Sequence, residues 1–512
     1  MAKAKTPTTV AKSKAAKAST STKTGAKPPA KAAAITEAKP AKKGKAPVFA
    51  NYHAALEWLY DRLDVERTRP GRIDPKIFKL DRMRHLMEEL GNPQESLRCV
   101  HVGGTNGKGS ICAMVTQCLR ECGYTVGMYT SPHLIDLRER IQINGSVISH
   151  HAFTELLGRV ATATKKLSPR LGVPTFFEVM TAVGFIQFAE EAVDAAVIEV
   201  GLGGKLDSTN IIIPEVAAVG SIGWDHMQLL GDTLDKIAEQ KAGIFKKNVP
   251  AITFQQDKSV VETMRRVAEE VGANFQVVGD DIEFSLRFEA NPQLGPHMRV
   301  GLSSERVTFE HIPVPLPGEH QAHNCGLTLA ILDKLIERGF ELPESKIISG
   351  LESVHIPGRM ELASKEPRIM LDGAHNPPAM NALMKSIGAH VPYDSMIVIF
   401  GCAADKDLDD LLKKVSLGAD KVIFTKARNN QRAADPKDLA RRFNDSCQKM
   451  CQTAETLEEA LSVAVRAAGR DDLICITGSF YLVGEAKKML AERDTRVQAA
   501  AAANSASSVP SA

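Results

Sequence analysis

The sequence predicts an α/β fold containing two blocks of mostly parallel sheet, and three observations carry that prediction. Apolar, β-branched runs alternate with helical stretches over 98–222, and the alternation resumes at 368 and continues to 478. Between the blocks, 274–315 breaks into short runs with turns that suit antiparallel strands. Alternation of strand and helix marks a parallel sheet covered on both faces, because parallel neighbours need a crossover between them. At 512 residues the chain has room for two or three domains.

The elements follow in order. Residues 1–46 carry twelve Lys and no Arg against the single acid Glu37, a charge of about +11, while the whole chain is only +3. The body is therefore acidic, and nucleic-acid binding is not expected of it. This Lys/Ala/Pro-rich tail has almost nothing to bury and is expected to be disordered. An organellar transit peptide, the alternative, would favour Arg and an amphipathic helix, and neither is present. No apolar run approaches the ~20 residues of a membrane helix, so a cytoplasmic protein is expected. Nine scattered cysteines without a C-x-x-C pair fit a reducing compartment; Cys118 with Cys122 and Cys447 with Cys451 read as packing positions on helices.

Residues 52–90 read as helical, with a polar break near Arg69, Pro70 and Gly71. Strands are predicted at 98–102, 125–129, 195–200 and 216–222, a side sheet within 274–315, and a helix over 321–337. The second block holds the apolar runs RIMLDG, SMIVIFG, KVIFT and LICITG, with a helix over 457–468. Pro357-Gly358 closes a predicted hinge at 353–358. The expected division is a tail over 1–46, a nucleotide-binding domain over 47–353, a smaller α/β domain over 358–493 and a low-complexity tail over 494–512.

The run CVHVGGTNGKGS, residues 99–110, holds the most chemical information. A strand feeds a glycine-rich loop, Gly104, Thr105, Asn106, Gly107, Lys108, Gly109 and Ser110, and a helix is predicted over 111–122. Amides freed by the glycines and the positive helix end suit phosphate oxygens, and Lys108 is placed for the β and γ phosphates. The spacing departs from G-x-x-x-x-G-K-[ST], since Gly109 separates Lys108 from Ser110. A purely structural strand-to-helix turn would use the same glycines.

Glu199 ends the buried run AAVIEV, at the strand end where parallel sheets bind ligands, and a phosphate-bound Mg²⁺ needs protein oxygens there. Asp225 and His226 follow the next strand, and His226 paired with Glu199 suits a second metal.

HVGGTNGKGS, YTSPHL, PTFFEVMTAVGF, VIEVGLGGKLDSTN, DHMQLLGDTLDKIAEQKAGIFK, GEHQAHN, PGRME and DGAHNP occur in the order found in folylpolyglutamate synthases and dihydrofolate synthases, and the chain resembles that branch of the Mur ligase superfamily from Tyr52 to Ala491. The resemblance implies a P-loop Mur-ligase-like central domain, a small antiparallel side sheet and a Rossmann-like C-terminal domain. It also implies an ATP-dependent ligase that activates a folate carboxylate as an acyl phosphate and joins L-glutamate to it, acting as a monomer on dihydropteroate or reduced folates. Further roles follow by matched position. Ser131 and Glu199 hold one Mg²⁺ and His226 serves another; Lys241 is carbamylated; Asn324 grips adenine and Arg359 the phosphates; Asp372 and His375 reach the nucleotide from the second domain. Thr175, Phe177, Glu178 and Asp207 match pterin-binding positions.

Gln240 stands where the family usually has Glu, Lys205 replaces a frequent Arg, Trp224 replaces a smaller aliphatic residue and Ile356 replaces a common Trp. None of these removes an implied ligand. The alternatives are a cell-wall Mur-type amino-acid ligase, which carries a dedicated domain before the loop, and a noncatalytic nucleotide-binding regulator.

Overall fold

The computed structural model describes residues 48–68, 77–292, 295–428, 430–447 and 449–507. The tail expected over 1–46 lies outside them, as do Arg69, Pro70 and Gly71. Seventeen strands form three sheets among the described residues. The first contains β1 (Cys99–Gly103), β2 (Val126–Tyr129), β3 (Ile141–Ile143), β4 (Ser146–Val147), β5 (Ala195–Glu199), β6 (Val216–Val219), β7 (Pro250–Phe254) and β8 (Asn274–Val278). Their order is β4-β3-β2-β5-β1-β6-β7-β8, parallel except for the hairpin of β3 and β4 at one edge. β1 and β5 lie at the centre and are buried along their whole length, which is why their sequences are mostly apolar, with His101 inside β1 and Glu199 at the end of β5 the exceptions.

β9 (Glu283–Asn291), β10 (Gly295–Ser303) and β11 (Thr308–Pro313) form the antiparallel side sheet. It packs on helix Glu319–Glu337, where a Cβ on Gly326 would meet the Phe284 ring at 2.4 Å. One boundary of the predicted side sheet is corrected. The run ending at Val278 is β8, which pairs parallel with β7 at the edge of the main sheet. At the sheet edge its burial runs from exposed Asn274 to buried Val278, so it lacks the continuous apolar run of a central parallel strand.

The third sheet has the order β12-β13-β17-β14-β15-β16, comprising β12 (Glu361–Lys365), β13 (Arg368–Leu371), β14 (Met396–Phe400), β15 (Lys421–Phe424), β16 (Met450–Thr453) and β17 (Leu473–Thr477). Only β12 runs antiparallel. Apolar clusters cover both of its faces, as they do for the first sheet.

Further differences from the sequence reading are local. The stretch 52–90 is two helices, Tyr52–Tyr60 and Leu80–Glu89. The helix after the phosphate loop starts earlier than predicted, at Lys108. Cys451 lies on β16, and Cys447 caps helix Pro436–Ser446. The final helix, Phe480–Ser507, runs through most of the expected 494–512 tail, because its Ala-rich sequence is a good helix former. No helix among the described residues is long and apolar enough to cross a membrane.

The two large sheets belong to one compact unit. At one point of contact the backbone of helix Phe480–Ser507 touches the loop after β2. A Cβ on Gly484 would stand 1.9 Å from the Leu134 carbonyl oxygen. That loop is itself pinned, since the amides of Leu134 and Ile135 donate to Glu139 at 2.8 and 3.1 Å.

Candidate active site

A cavity of about 410 Å³ lies between the strand ends of the two large sheets. The order around β1 explains its location, because ligands of open α/β sheets bind beyond the carboxyl ends of central strands. From the first sheet it receives Thr105, Asn106, Gly107, Lys108, Gly109, Ser110, Ser131, Glu199, His226 and Lys241. Asn324 comes from helix Glu319–Glu337, and Arg359, Asp372 and His375 enter from the second sheet.

The phosphate loop needs two of its glycines for definite reasons. Gly104 and Gly107 have φ of +131° and +85°, the region that favours glycine. A Cβ on Gly107 would also lie 2.3 Å from Asn324 Oδ1. The Thr105 amide donates to the Ser221 carbonyl at 2.7 Å, tying the loop to the strand end beside it. No side chain caps the helix that starts at Lys108, so its first amides remain available to an anion. Lys108 Nζ lies over the loop, donating to the carbonyls of Gly104 and Thr105 at 3.1 and 3.3 Å.

Lys241, in the last turn of helix Leu234–Ala242, reaches the same loop from below and donates to the Gly104 carbonyl at 2.9 Å. Burial, reinforced by Lys108, pushes its pKa down to about 7. Burial raises the Glu199 carboxyl, and Lys108 opposes that shift. Glu199 Oε2 accepts from the Ser131 amide at 3.1 Å, which brings the Ser131 loop beside the carboxylate.

Asp225 and His226 lie opposite. Burial tends to raise the Asp225 carboxyl, but His226, Lys406 and His375 together hold it far below the usual range. His226 has φ +49°, and burial pushes its imidazole down to about 4. Of the set Glu199, Ser131 and His226, the first two offer hard oxygen donors and His226 a ring nitrogen. No group of three His, Cys, Asp or Glu among the described residues forms a metal cage. A cation held by one carboxylate, one hydroxyl and phosphate oxygens matches the chemistry of Mg²⁺, so the residues fit it.

On the second sheet's side, Arg359 stacks over the Phe480 ring at 4.4 Å. Burial lowers its pKa, against the pull of Asp372 and Glu199. Asp372 accepts from the Met360 and Ala374 amides at 2.9 and 2.8 Å. His375 Nδ1 donates to the Gly373 carbonyl at 2.9 Å. Asn324 donates to Gln321 Oε1 at 2.9 Å, and Gln321 donates to Ser110 Oγ at 3.4 Å.

Three contacts join the halves of the cavity, and the sequence does not record which residues meet in them. Lys406 forms an ion pair with Asp225. Asn376 donates to Asn106 Oδ1 at 2.9 Å. Arg432, paired with Asp405, donates to the Glu66 carbonyl at 2.7 Å.

Residues 102–332 match the Mur ligase middle domain and residues 358–480 the glutamate ligase domain of Mur ligases. The dihydrofolate synthase/folylpolyglutamate synthase of Bacillus subtilis is 33% identical over 446 residues, which span 86% of this chain and 100% of that protein. This chain belongs to the folylpolyglutamate synthase/dihydrofolate synthase family of Mur ligases. Solved structures of the family superpose closely. Mycobacterium tuberculosis folylpolyglutamate synthase complexed with ADP gives a TM-score of 0.77 at 30% identity, covering 86% of this chain and 99% of that one. E. coli FolC in complex with DHPP and ADP gives 0.76 at 28%, covering 88% and 100%.

In this family member the four implied pterin positions stand apart from the cavity lining. Thr175 and Glu178 form a capping box at the start of helix Phe176–Glu190, and both are buried. Asp207, also buried, accepts from the Leu202 amide at 2.8 Å and from the Thr209 amide and hydroxyl at 3.0 and 2.5 Å. Phe177 alone among the four is only half-buried. Its ring lies against Gly201, a residue of the cavity wall, where a Cβ would meet it at 2.3 Å.

Proposed function

We propose that this protein is an ATP-dependent ligase that joins L-glutamate to a folate carboxylate and also acts as a dihydrofolate synthase. The observation that carries this is the meeting, in one cavity, of the uncapped phosphate loop with Lys108 on one side and Arg359, Asp372 and His375 on the other. In the proposed reaction a carboxylate oxygen of the folate attacks the γ-phosphorus of ATP, and ADP departs. The amine of glutamate then attacks the acyl carbon, phosphate leaves with the electron pair of the broken C–O bond, and the amine gives up a proton.

Lys108 neutralises charge gathering on the transferred phosphoryl group, and Arg359 binds the phosphates from the opposite wall. Asn324 presents an amide donor and acceptor to adenine. The second sheet closes over the first, excluding water from a reactive acyl phosphate. Ser131 and Glu199 would hold Mg²⁺ with His226 serving a second ion; the metal would supply charge neutralisation on phosphate oxygens. Lys241, poised near neutrality, has an unprotonated amine available for carbamylation, which would turn a cation into an anion. We assign 47–353 to ATP binding and 358–493 to the ligase step. We also take the protein to be a cytoplasmic monomer whose partners are the small molecules themselves.

A coupled ADP-release assay comparing dihydropteroate with tetrahydrofolate tests the proposal. ADP release that requires glutamate and occurs with each of these pterins is expected. Release independent of either, or dependent only on a muramoyl acceptor, overturns it.

A further inference from the structure

Helix Pro377–His390 belongs to the second large sheet, where its Met380, Leu383 and Ile387 are buried in one apolar cluster with Met370 and Met396 of the strands. Fixing this helix therefore fixes that sheet. At its start, Asn376 accepts from the Ala379 amide at 2.9 Å and turns its own amide to Asn106 of the phosphate loop. Roughly 20 Å along the axis, at its last residue, the helix meets the nucleotide-binding half again. There His390 Nε2 accepts from the Gly318 amide at 3.2 Å, and Nδ1 donates to the Pro296 carbonyl of β10 at 2.9 Å. A backbone amide only donates and a carbonyl only accepts, so the ring makes both bonds only with its single proton on Nδ1. Phe288 of β9 packs against the ring edge-on, with centroids 5.4 Å apart.

Gly318 is drawn tightly into this contact. Its φ is +106°, and a Cβ there would stand 2.2 Å from Ser386 Oγ, one turn before His390 on the same helix. Only glycine allows that approach. The Gly318 turn opens helix Glu319–Glu337, whose His320, Gln321 and Asn324 line the cavity, and Gln321 donates to Ser110 of the phosphate loop at 3.4 Å. His390 itself, and the described residues of the side sheet, lie outside the cavity lining. We propose that His390 is a positioning residue for the ligase reaction: by joining the Gly318 turn to the side sheet it anchors the far end of helix Pro377–His390, and so holds Arg359, Asp372 and His375 in register over a nucleotide on the phosphate loop. A helix held only at Asn376 can swing about that point, whereas one held at both ends has a fixed direction. The side sheet is thus the seat on which the second half of the molecule rests. This rests on the ATP-dependent ligase function given above.

The test uses the full chain in the ADP-release assay with His390→Phe and His390→Gln, each with its thermal midpoint and with amide hydrogen exchange over 314–322 in the presence of ADP. Phenylalanine keeps a ring against Phe288 and removes both hydrogen bonds; the glutamine amide offers one donor and one acceptor. One such bond is worth roughly fivefold in an equilibrium, so losing both should deplete the registered arrangement roughly 10- to 30-fold. His390→Phe should therefore lower kcat/KM for ATP by about that factor and speed exchange at the Gly318 turn. His390→Gln should restore both to within about threefold of wild type. If exchange quickens in His390→Phe while kcat/KM for ATP stays within twofold, the contact forms but positions nothing, and the proposal is wrong. If the variants lower only the thermal midpoint, the contact is structural and the proposal is equally wrong. Equal losses of kcat/KM in both variants would mean that the two hydrogen bonds are not what is lost, and overturn it as well. Wild-type enzyme releasing no ADP with any folate would instead overturn the assigned function, an outcome read before any variant is made.

Discussion

Replacing Gly107 by alanine isolates the junction between the phosphate loop and the adenine side of the cavity. Two costs follow from the geometry. Alanine at φ +85° is strained by about 1–2 kcal/mol. Its Cβ, 2.3 Å from Asn324 Oδ1, also forces that amide aside and breaks its 2.9 Å bond to Gln321, worth about 1 kcal/mol. If the free loop relaxes away from this arrangement, nucleotide binding must restore it, and a total of about 2–3 kcal/mol weakens ADP roughly 30- to 150-fold. Calorimetric titration with ADP measures the change, and circular dichroism checks the fold. An ADP affinity within threefold of wild type in a folded variant would refute the reasoning, because it would mean that neither the left-handed turn nor Asn324 is coupled to the nucleotide.

Lys108→Ala should leave the fold intact, since the loop amides are held by Ser221 rather than by the lysine, yet lower kcat by about 100-fold or more; steady-state ADP release checks this. Lys241 falls from 10.5 to about 7 on folding, so between those values the unfolded chain binds more protons and stability rises with pH; below 7 both states are protonated and the full penalty remains. Lys241→Met in bicarbonate-free buffer should therefore have a thermal midpoint above wild type at pH 7, with the gap narrowing towards pH 10; a gap that stays constant counts against the depressed pKa. Lys241→Arg should be nearly inactive if a carbamate is required, because arginine keeps a positive charge beside the phosphate loop, and near-normal turnover would argue for a plain lysine.

Much of the fold was legible because its determinants are local. The strands β1, β5, β14 and β17 are fully buried, so each appears as an apolar run with no need for partner information. β12 and β16 escaped notice because edge strands with exposed faces, ELASK and MCQT, carry polar residues that resemble loops. The phosphate loop was legible for the same local reason, since glycine spacing reports backbone conformation directly. Glu178 shows how one signal can support two interpretations. Thr175-Phe-Phe-Glu178 is also the S/T-x-x-E pattern of a capping box, and the structure uses it that way. Lys406, Arg432 and Arg82 carry no pattern at all. Their partners Asp225, Glu66 and Glu178 lie far away in the sequence, and a single chain does not record which distant charges meet.

The approach of Gly484 to the Leu134 carbonyl has a mechanical consequence. Because no room separates that helix backbone from the loop, any side chain at 484 acts as a wedge driven between the two sheet systems, at a spot outside the cavity lining. Even a methyl there overlaps a backbone carbonyl, so alanine alone forces the helix and the loop apart while every phosphate-loop and cavity-lining side chain remains chemically unchanged. Because Phe480, which carries Arg359 on its ring, begins the same helix and Ser131 begins the same loop, a wedge at this point presses on both walls of the cavity at once without replacing any group that lines it.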